Sequence, residues 1–187
     1  MKKSKGIGYC TVVLLLISAI IATLVATVNA ITADKIAENE EATIREKIDL
    51  IFLDNKGYTD VTADFEALDG VTAIYEVVSS TGGQNFYCVR SEAAGYGGTV
   101  EMLTGFDCDG RIVGVKVLSA DSETPGLGSR ITDERFLSGF AGKTYDTPAN
   151  IDGWSGSTVS STAATNAVNS ACSVMELILG GGEESSQ

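Results

Sequence analysis

The chain has 187 residues, enough for one ordinary domain and an accessory segment, and its formal net charge is −12. Such an acidic surface repels phosphate backbones and anionic lipid headgroups, so we expect no nucleic-acid binding. The sequence contains no histidine, which removes the commonest general base and metal ligand. We therefore predict no metal site, and the absence of histidine is consistent with a protein that has no acid–base catalytic residue.

An uncharged, mostly apolar run extends from Gly6 to Thr32 and exceeds the ~20 residues that a helix needs to cross a bilayer. Three lysines precede the run and four acidic residues follow it, namely Lys2, Lys3, Lys5, Asp34, Glu38, Glu40 and Glu41. By the positive-inside bias, we predict a cytoplasmic segment over 1–5, a transmembrane anchor over 6–32 and an extracytoplasmic remainder. The alternative is a cleaved signal peptide, because Val28-Asn29-Ala30 resembles a small-residue cleavage site.

The next segment reads as a helix from Ala33 to Phe52 and is predicted to open a helical connector over residues 33–70. Isoleucines recur in it at helical spacing, at Ile36, Ile44, Ile48 and Ile51. Asn55, Gly57 and Asp60 then interrupt the pattern.

Four short segments rich in β-branched and aromatic residues predict strands at Val71–Val78, Asn85–Val89, Thr99–Asp107 and Arg111–Leu118. The last two are joined across Asp109-Gly110, a favoured hairpin turn pair. In the last strand Val113, Val115 and Val117 alternate with other residues, so we expect these three valines to face the core.

Two helices are predicted after the strands. A short one covers Arg135–Ala141, with Phe136 and Phe140 one turn apart, and a longer one runs from Thr158 to Leu179 with an apolar face. The predicted fold class is α+β: an N-terminal transmembrane helix followed by one domain with a twisted antiparallel sheet flanked by helices. The domain covers 71–180, and 181–187 form a polar tail.

Three cysteines follow the apolar run: Cys88, Cys108 and Cys172. Their number allows at most one disulfide, and their spacing matches no zinc or redox motif. We expect buried thiols, and the sequence leaves open whether Cys88 and Cys108 pair.

A hydroxyl-rich stretch, SGSTVSS, covers Ser155–Ser161 at the predicted start of the last helix. It permits two interpretations. Ser155, Ser157 or Thr158 caps the helix, or the helix N-terminus binds a phosphate. No lysine or arginine follows Lys143, and a tightly bound free phosphate usually recruits one. A phosphate esterified to a local hydroxyl has less need of it.

A second stretch, ETPGLG, covers Glu123–Gly128, and within it Thr124-Pro125-Gly126 has the signature of a type II turn. Together with SGSTVSS it resembles the FMN-binding domain family, whose signature is SGATxT. The segment Gly95–Ser129 also resembles that family's glycine-led strand, hairpin and loop, in the same order. The best-known members are the G subunit of the Rnf electron-transport complex and the C subunit of the sodium-pumping NADH:quinone oxidoreductase, and the single N-terminal span fits them.

The resemblance implies that a flavin transferase attaches FMN through a phosphoester to Ser160, the last hydroxyl of the motif. The chain departs from the family at Ser157, where alanine is usual, and at Ser160, where threonine is usual. Thr158, Ser161 and Thr162 therefore stay open as acceptors. The implied cofactor-binding residues are Ser155, Gly156, Ser157, Thr158, Ser160, Glu123, Thr124, Pro125, Gly126 and Leu127.

The same resemblance places the ETPGLG loop against the flavin, with Gly126 and Gly128 permitting close approach of the backbone. Glu123 or Thr124 would hydrogen-bond the isoalloxazine or ribityl groups. Trp154 and Tyr145 either stack on the ring or belong to the core. Asp152 matches an acidic residue often found just before the motif.

By resemblance, the chain is an electron-carrying flavoprotein of the plasma membrane that works with other membrane subunits of an Rnf-like complex. That complex couples electron transfer between ferredoxin and NAD to ion movement. Two alternatives stay open at this point: a non-redox extracytoplasmic binding module, and a covalent-FMN protein of another extracytoplasmic electron-transfer pathway.

Overall fold

The computed structural model describes residues 4–65, 68–80, 85–120, 122–126, 128–147, 149–151, 153 and 155–180, with only the backbone of residues 4–7. The chain divides into two compact units, Met1–Thr43 and Ile44–Gln187.

Helix α1 is one continuous helix, Ser4–Ile51, where the sequence predicted an anchor and then a separate helix. It is continuous because neither proline nor glycine occurs between Gly8 and Gly57. In the first unit its large apolar side chains, from Leu14 to Ile31, are exposed. In the part of the chain that the structure describes, α1 is the one helix long and apolar enough, by length and composition, to cross a membrane.

The second unit contains a five-stranded antiparallel sheet in which each strand pairs with the next along the chain. The strands are β1 Asn55–Asp60, β2 Val71–Ser79, β3 Asn85–Ala94, β4 Thr99–Phe106 and β5 Ile112–Ser119. This confirms the α+β class and the four predicted strands.

Strand β1 was not predicted, and the segment 33–70, expected to be a helical connector, is helical in α1 only as far as Ile51. Asn55, Gly57 and Asp60 have low strand propensity, which hid the strand. The segment is a strand because its backbone pairs with β2, where Tyr58 lies opposite Val77, and these hydrogen bonds outweigh the low local propensity.

The prediction that Val113 faces the core was wrong. Phe106 of β4 pairs with Ile112 and Gly105 pairs with Gly114, so Val113 is the extra residue of a β-bulge and is exposed. The bulge shifts the alternation by one, which puts Ile112 and Val115 on the same buried face.

The sheet buries both of its faces. On one face the end of α1 packs with Ile44, Ile48 and Ile51 against a cluster that includes Val77 and Leu103 of the sheet. Gly105 of β4 permits this close packing, because a Cβ there would lie 2.5 Å from Ile51 Cγ2.

Helix α3, Thr158–Gly180, covers the other face and confirms the predicted last helix. Its buried side is lined by small residues, including Ala164, Ala167 and Ala171, which let the helix lie close to β3 and β4. The predicted short helix is α2, Glu134–Leu137, and continues in turns. The rings of Phe136 and Phe140 meet edge to face at 5.4 Å, as their spacing indicated.

All four cysteines are free thiols. Cys88 is fully buried, and burial raises the pKa of its thiol well above the usual range. Burial also raises the pKa of Cys172 to about 11. Both groups therefore stay protonated and unreactive near neutral pH, as expected of structural thiols.

Replacing Ile48 by alanine should lower the free energy of unfolding by about 2–5 kcal/mol, because the side chain is fully buried beneath the sheet. Ile36→Ala, on the same helix but 57% exposed, is the matched control and should change it by less than about 0.5 kcal/mol. Urea unfolding of the full chain in detergent, followed by circular dichroism, measures both. Equal effects would show that α1 does not pack on the sheet.

Candidate functional site

A cleft of about 450 Å³ opens where three segments meet: the β3–β4 turn, the loop after β5 and the first turn of α3. Its lining residues are Tyr96, Glu123, Thr124, Gly128, Gly156, Ser157, Thr158, Val159 and Ser160. The volume lies in the range of about 300–1,000 Å³ that is usual for small-molecule sites.

Glu123 joins the three segments. Its side chain is buried, and its Oε1 accepts hydrogen bonds from the backbone N–H of Tyr96 at 2.8 Å and of Gly97 at 3.2 Å. Its Oε2 accepts a short hydrogen bond from the hydroxyl of Ser160, which is also buried. The carboxylate thus holds the β3–β4 turn and the start of α3 on either side of the loop that carries it.

Gly128 makes room for this contact. A Cβ at Gly128 would overlap Glu123 Oε2 and would lie 2.9 Å from Ser160 Oγ. A side chain at this position would therefore force the carboxylate and the hydroxyl apart.

The turn that follows Glu123 has the predicted geometry. Gly126 has a φ of +78°, the conformation that a type II turn requires at its third position. The hydroxyl of Ser129 accepts from Gly126 N–H at 2.9 Å, and Ser129 N–H donates to the carbonyl of Thr124 at 3.2 Å. The adjacent Ile131 is fully buried and fixes the loop to the core.

The first turn of α3 forms another wall of the cleft. The amide of Ser161 donates to the carbonyl of Ser157 at 2.9 Å. The N–H groups of Thr158, Val159 and Ser160 come before this bond, at the end of the helix where no carbonyl of the helix itself can accept from them. These groups and the positive end of the helix dipole suit an anion. Among the described lining residues there is no lysine or arginine, and Glu123 adds a carboxylate.

The structure brings most of the predicted site residues together. Glu123, Thr124, Gly156, Ser157, Thr158 and Ser160 line the cleft. Ser155 and Pro125 are chain neighbours of lining residues, and Gly126 lies two positions from both Thr124 and Gly128. Leu127, Asp152 and Trp154 lie outside the described residues.

The remaining hydroxyl candidates and Tyr145 lie elsewhere. Thr162 is exposed, and neither it nor Ser161 is among the cleft's lining residues; Ser161 is buried and its Oγ has no hydrogen-bond partner among the described residues. Tyr145 borders a different cleft, beside Asn169 and Cys172 of α3.

Sequence reasoning missed two lining residues, Tyr96 and Val159, whose side chains are 74% and 51% exposed at the cleft. Exposed apolar groups at a concave site are a common feature of ligand binding. The glycines around Tyr96 in GYGG were the available signal, because they indicate a tight turn that displays the residue between them.

Comparison with known proteins agrees with this geometry. Residues 95–173, which contain every described lining residue of the cleft, match the FMN-binding domain family. Residues 1–49 match the RnfG N-terminal region. The fold and the matched region define the chain as a protein with an FMN-binding domain, and FMN is the cofactor of such domains.

Relatives of known class give the particular family. The G subunit of the ion-translocating oxidoreductase complex of Methanosarcina acetivorans is 31% identical over 184 residues, covering 91% of this chain and 95% of the relative. The G subunit of the proton-translocating ferredoxin:NAD(+) oxidoreductase complex of Clostridium ljungdahlii is 32% identical, covering 51% of this chain and 56% of the relative. The chain thus belongs to the family of G subunits of ion-translocating oxidoreductase complexes.

The extent of these matches varies. The chain spans little more than half the length of the first curated relatives it matches, at 55–56%. Among solved structures, the C subunit of the Na(+)-translocating NADH-quinone reductase from Parabacteroides distasonis is 22% identical, with a TM-score of 0.48, over 62% of this chain and 75% of that one.

The residues of the cleft fit FMN. The volume is sufficient, Gly128 and Gly156 line the cleft without side chains, and the N–H groups at the start of α3 suit a phosphate. In one respect the cleft differs from a usual site for free phosphate. Its described lining includes a carboxylate and no cation, whereas a free phosphate is usually paired with lysine or arginine.

Gly128→Ala should lower the free energy of unfolding by about 1–3 kcal/mol, because the new methyl group overpacks against Glu123 and Ser160. Gly180→Ala is the matched control, since a Cβ there would meet nothing within 4 Å. Chemical unfolding of both variants tests this, and an unchanged free energy for Gly128→Ala would contradict the packing described around Glu123.

Proposed function

We propose that this chain is a membrane-anchored flavoprotein subunit that relays electrons in an ion-translocating ferredoxin:NAD oxidoreductase complex, with FMN linked through a phosphoester to Ser160. The observation that most directly supports this proposal is the position of Ser160. Its hydroxyl lies in the first turn of α3, at a cleft within the FMN-binding domain. The names of the relatives supply the complex and its substrates.

The covalent bond is supported by the electrostatics of the cleft. A free phosphate would meet helix N–H groups but no lysine or arginine among the described lining residues, and it would lie near Glu123. Such a site binds a dianion weakly, because no cation offsets its charge. A phosphoester to Ser160 retains the group irrespective of that weak affinity, and it lowers the negative charge from two to one.

Other residues of the cleft have roles that follow from their positions. When bound, FMN supplies one- and two-electron chemistry. The exposed ring of Tyr96 and the side chain of Val159 give apolar surface for the flavin ring. Thr124 supplies a hydroxyl that can hydrogen-bond the polar edge of the flavin ring.

The membrane assignment rests on α1. Its apolar segment is long enough to cross a bilayer, and the charges on either side favour a cytoplasmic N-terminus with the FMN-binding domain outside. The partners are the other membrane subunits of the complex, and a flavin transferase matures the chain. An external flavin benefits from a covalent tether, because a released one would diffuse away.

Co-expression of the full chain with a flavin transferase should raise its intact mass by one FMN minus water, and Ser160→Ala should remove at least nine-tenths of that modified fraction because the nucleophilic oxygen is lost. Thr158→Ala is the matched control: it removes the neighbouring hydroxyl on the same cleft and should retain the label. Mass spectrometry of the intact chain measures both. A label retained by Ser160→Ala and lost by Thr158→Ala would move the acceptor to Thr158.

Placement in the complex is tested by purifying the tagged full chain from its native membrane. We expect other membrane subunits of an ion-translocating oxidoreductase to copurify, together with ferredoxin-dependent NAD reduction. Copurification with a different set of redox partners would instead favour another extracytoplasmic electron-transfer pathway.

A further inference from the structure

The contact between Glu123 and Ser160 joins a carboxylate to a hydroxyl in a nearly dry environment. Glu123 is 4% exposed and Ser160 is 2% exposed. The carboxylate cannot turn freely, because its Oε1 holds the N–H groups of Tyr96 and Gly97 while its Oε2 accepts from the serine hydroxyl. Both partners nevertheless line the cleft.

We propose that Glu123 orients Ser160 and accepts its proton during attachment of the flavin, an inference that rests on the proposed function. A serine hydroxyl is a weak nucleophile at neutral pH, and it is activated when an adjacent base accepts a hydrogen bond from it. Glu123 already makes that hydrogen bond before any ligand arrives. It is therefore a catalytic residue for maturation of the protein, distinct from the electron transfer that follows.

The step balances without any redox change. The donor is a flavin phosphate held in a phosphoanhydride, as in flavin adenine dinucleotide. Ser160 Oγ forms a bond to the flavin phosphorus, and the bond between that phosphorus and the bridging oxygen breaks. The departing nucleoside monophosphate takes the electron pair, while the hydroxyl proton passes to Glu123 Oε2 and then to water.

The surroundings of the pair suit this role. Gly128 lets the carboxylate and the hydroxyl meet, because a Cβ there would overlap Glu123 Oε2 and would lie 2.9 Å from Ser160 Oγ. Thr158, the neighbouring candidate on the cleft, is exposed, and among the described residues it shows no hydrogen bond to a carboxylate. The geometry therefore selects Ser160 over Thr158 by activation, although Thr158 is the more accessible.

Steady-state attachment kinetics test the proposal. Unmodified full chain in detergent is incubated with purified flavin transferase and flavin adenine dinucleotide, and the labelled chain is counted by intact mass. For Glu123→Gln we expect kcat to fall about 10²–10⁴-fold, the usual contribution of a general base. The KM for the chain should stay within about twofold, because the variant is isosteric and the outer surface of the cleft is unchanged.

Two further variants separate chemistry from structure. Glu123→Asp keeps a carboxylate and should retain a larger share of kcat than Glu123→Gln. Glu176→Gln, an exposed carboxylate on the same helix as Ser160, is the matched control and should behave as the wild type. The melting temperature of each variant is recorded alongside.

The outcomes are distinct. A wild-type kcat for folded Glu123→Gln, or equal kcat values for Glu123→Gln and Glu123→Asp, would overturn the role of Glu123 while leaving the covalent flavin intact. If Glu123→Gln does not fold, a wild-type kcat for Glu123→Asp would overturn it, because the shorter side chain moves the carboxylate away from the hydroxyl. Failure of the wild-type chain to become labelled would instead refute the proposed function.

Discussion

The buried carboxylate of Glu123 is the constraint on which the site depends. Its hydrogen bonds reach residues 27 and 37 positions away in the sequence, Tyr96 and Ser160, and hold both segments at one cleft. A buried carboxylate without such donors would cost several kcal/mol. The loop, the β3–β4 turn and the start of α3 must therefore come together if this side chain is to be buried at all, and the same requirement creates the cleft.

The rest of the domain makes that arrangement rigid. The sheet has a helix on each face, with the end of α1 on one side and α3 on the other. The small residues of α3, such as Ala167 and Ala171, let it lie close to β3 and β4, so its first turn has a defined position at the end of the sheet. Ile131, which is fully buried in the core, fixes the loop after Glu123 in place. A covalent cofactor attached at this end would keep a nearly constant position relative to the sheet and the helices that cover it.

The family assignment and the chemistry of the cleft support each other. An FMN-binding domain that belongs to a G subunit needs a means of retaining a phosphate-bearing cofactor in a strongly acidic protein. Helix N–H groups and glycine backbone provide space and dipoles, while the described lining provides no cation. A bond to a hydroxyl, as we propose for Ser160, would retain the cofactor without a cation, and the buried carboxylate of Glu123 beside that hydroxyl would activate it.

Local pattern in the sequence determined much of the architecture: β2 to β5, the Asp109-Gly110 hairpin, the Thr124–Gly126 turn and the extent of α3 are all encoded in periodicity and turn chemistry. Resemblance indicated which loops belong to the site. Only tertiary structure decided that Asn55–Asp60 is a strand, that a bulge exposes Val113, that Tyr96 and Val159 line the cleft, and that Glu123 meets Ser160. The reason is physical: periodicity reports how a residue relates to its near neighbours, whereas edge pairing, bulges and buried hydrogen bonds depend on partners that the chain brings close only when it folds.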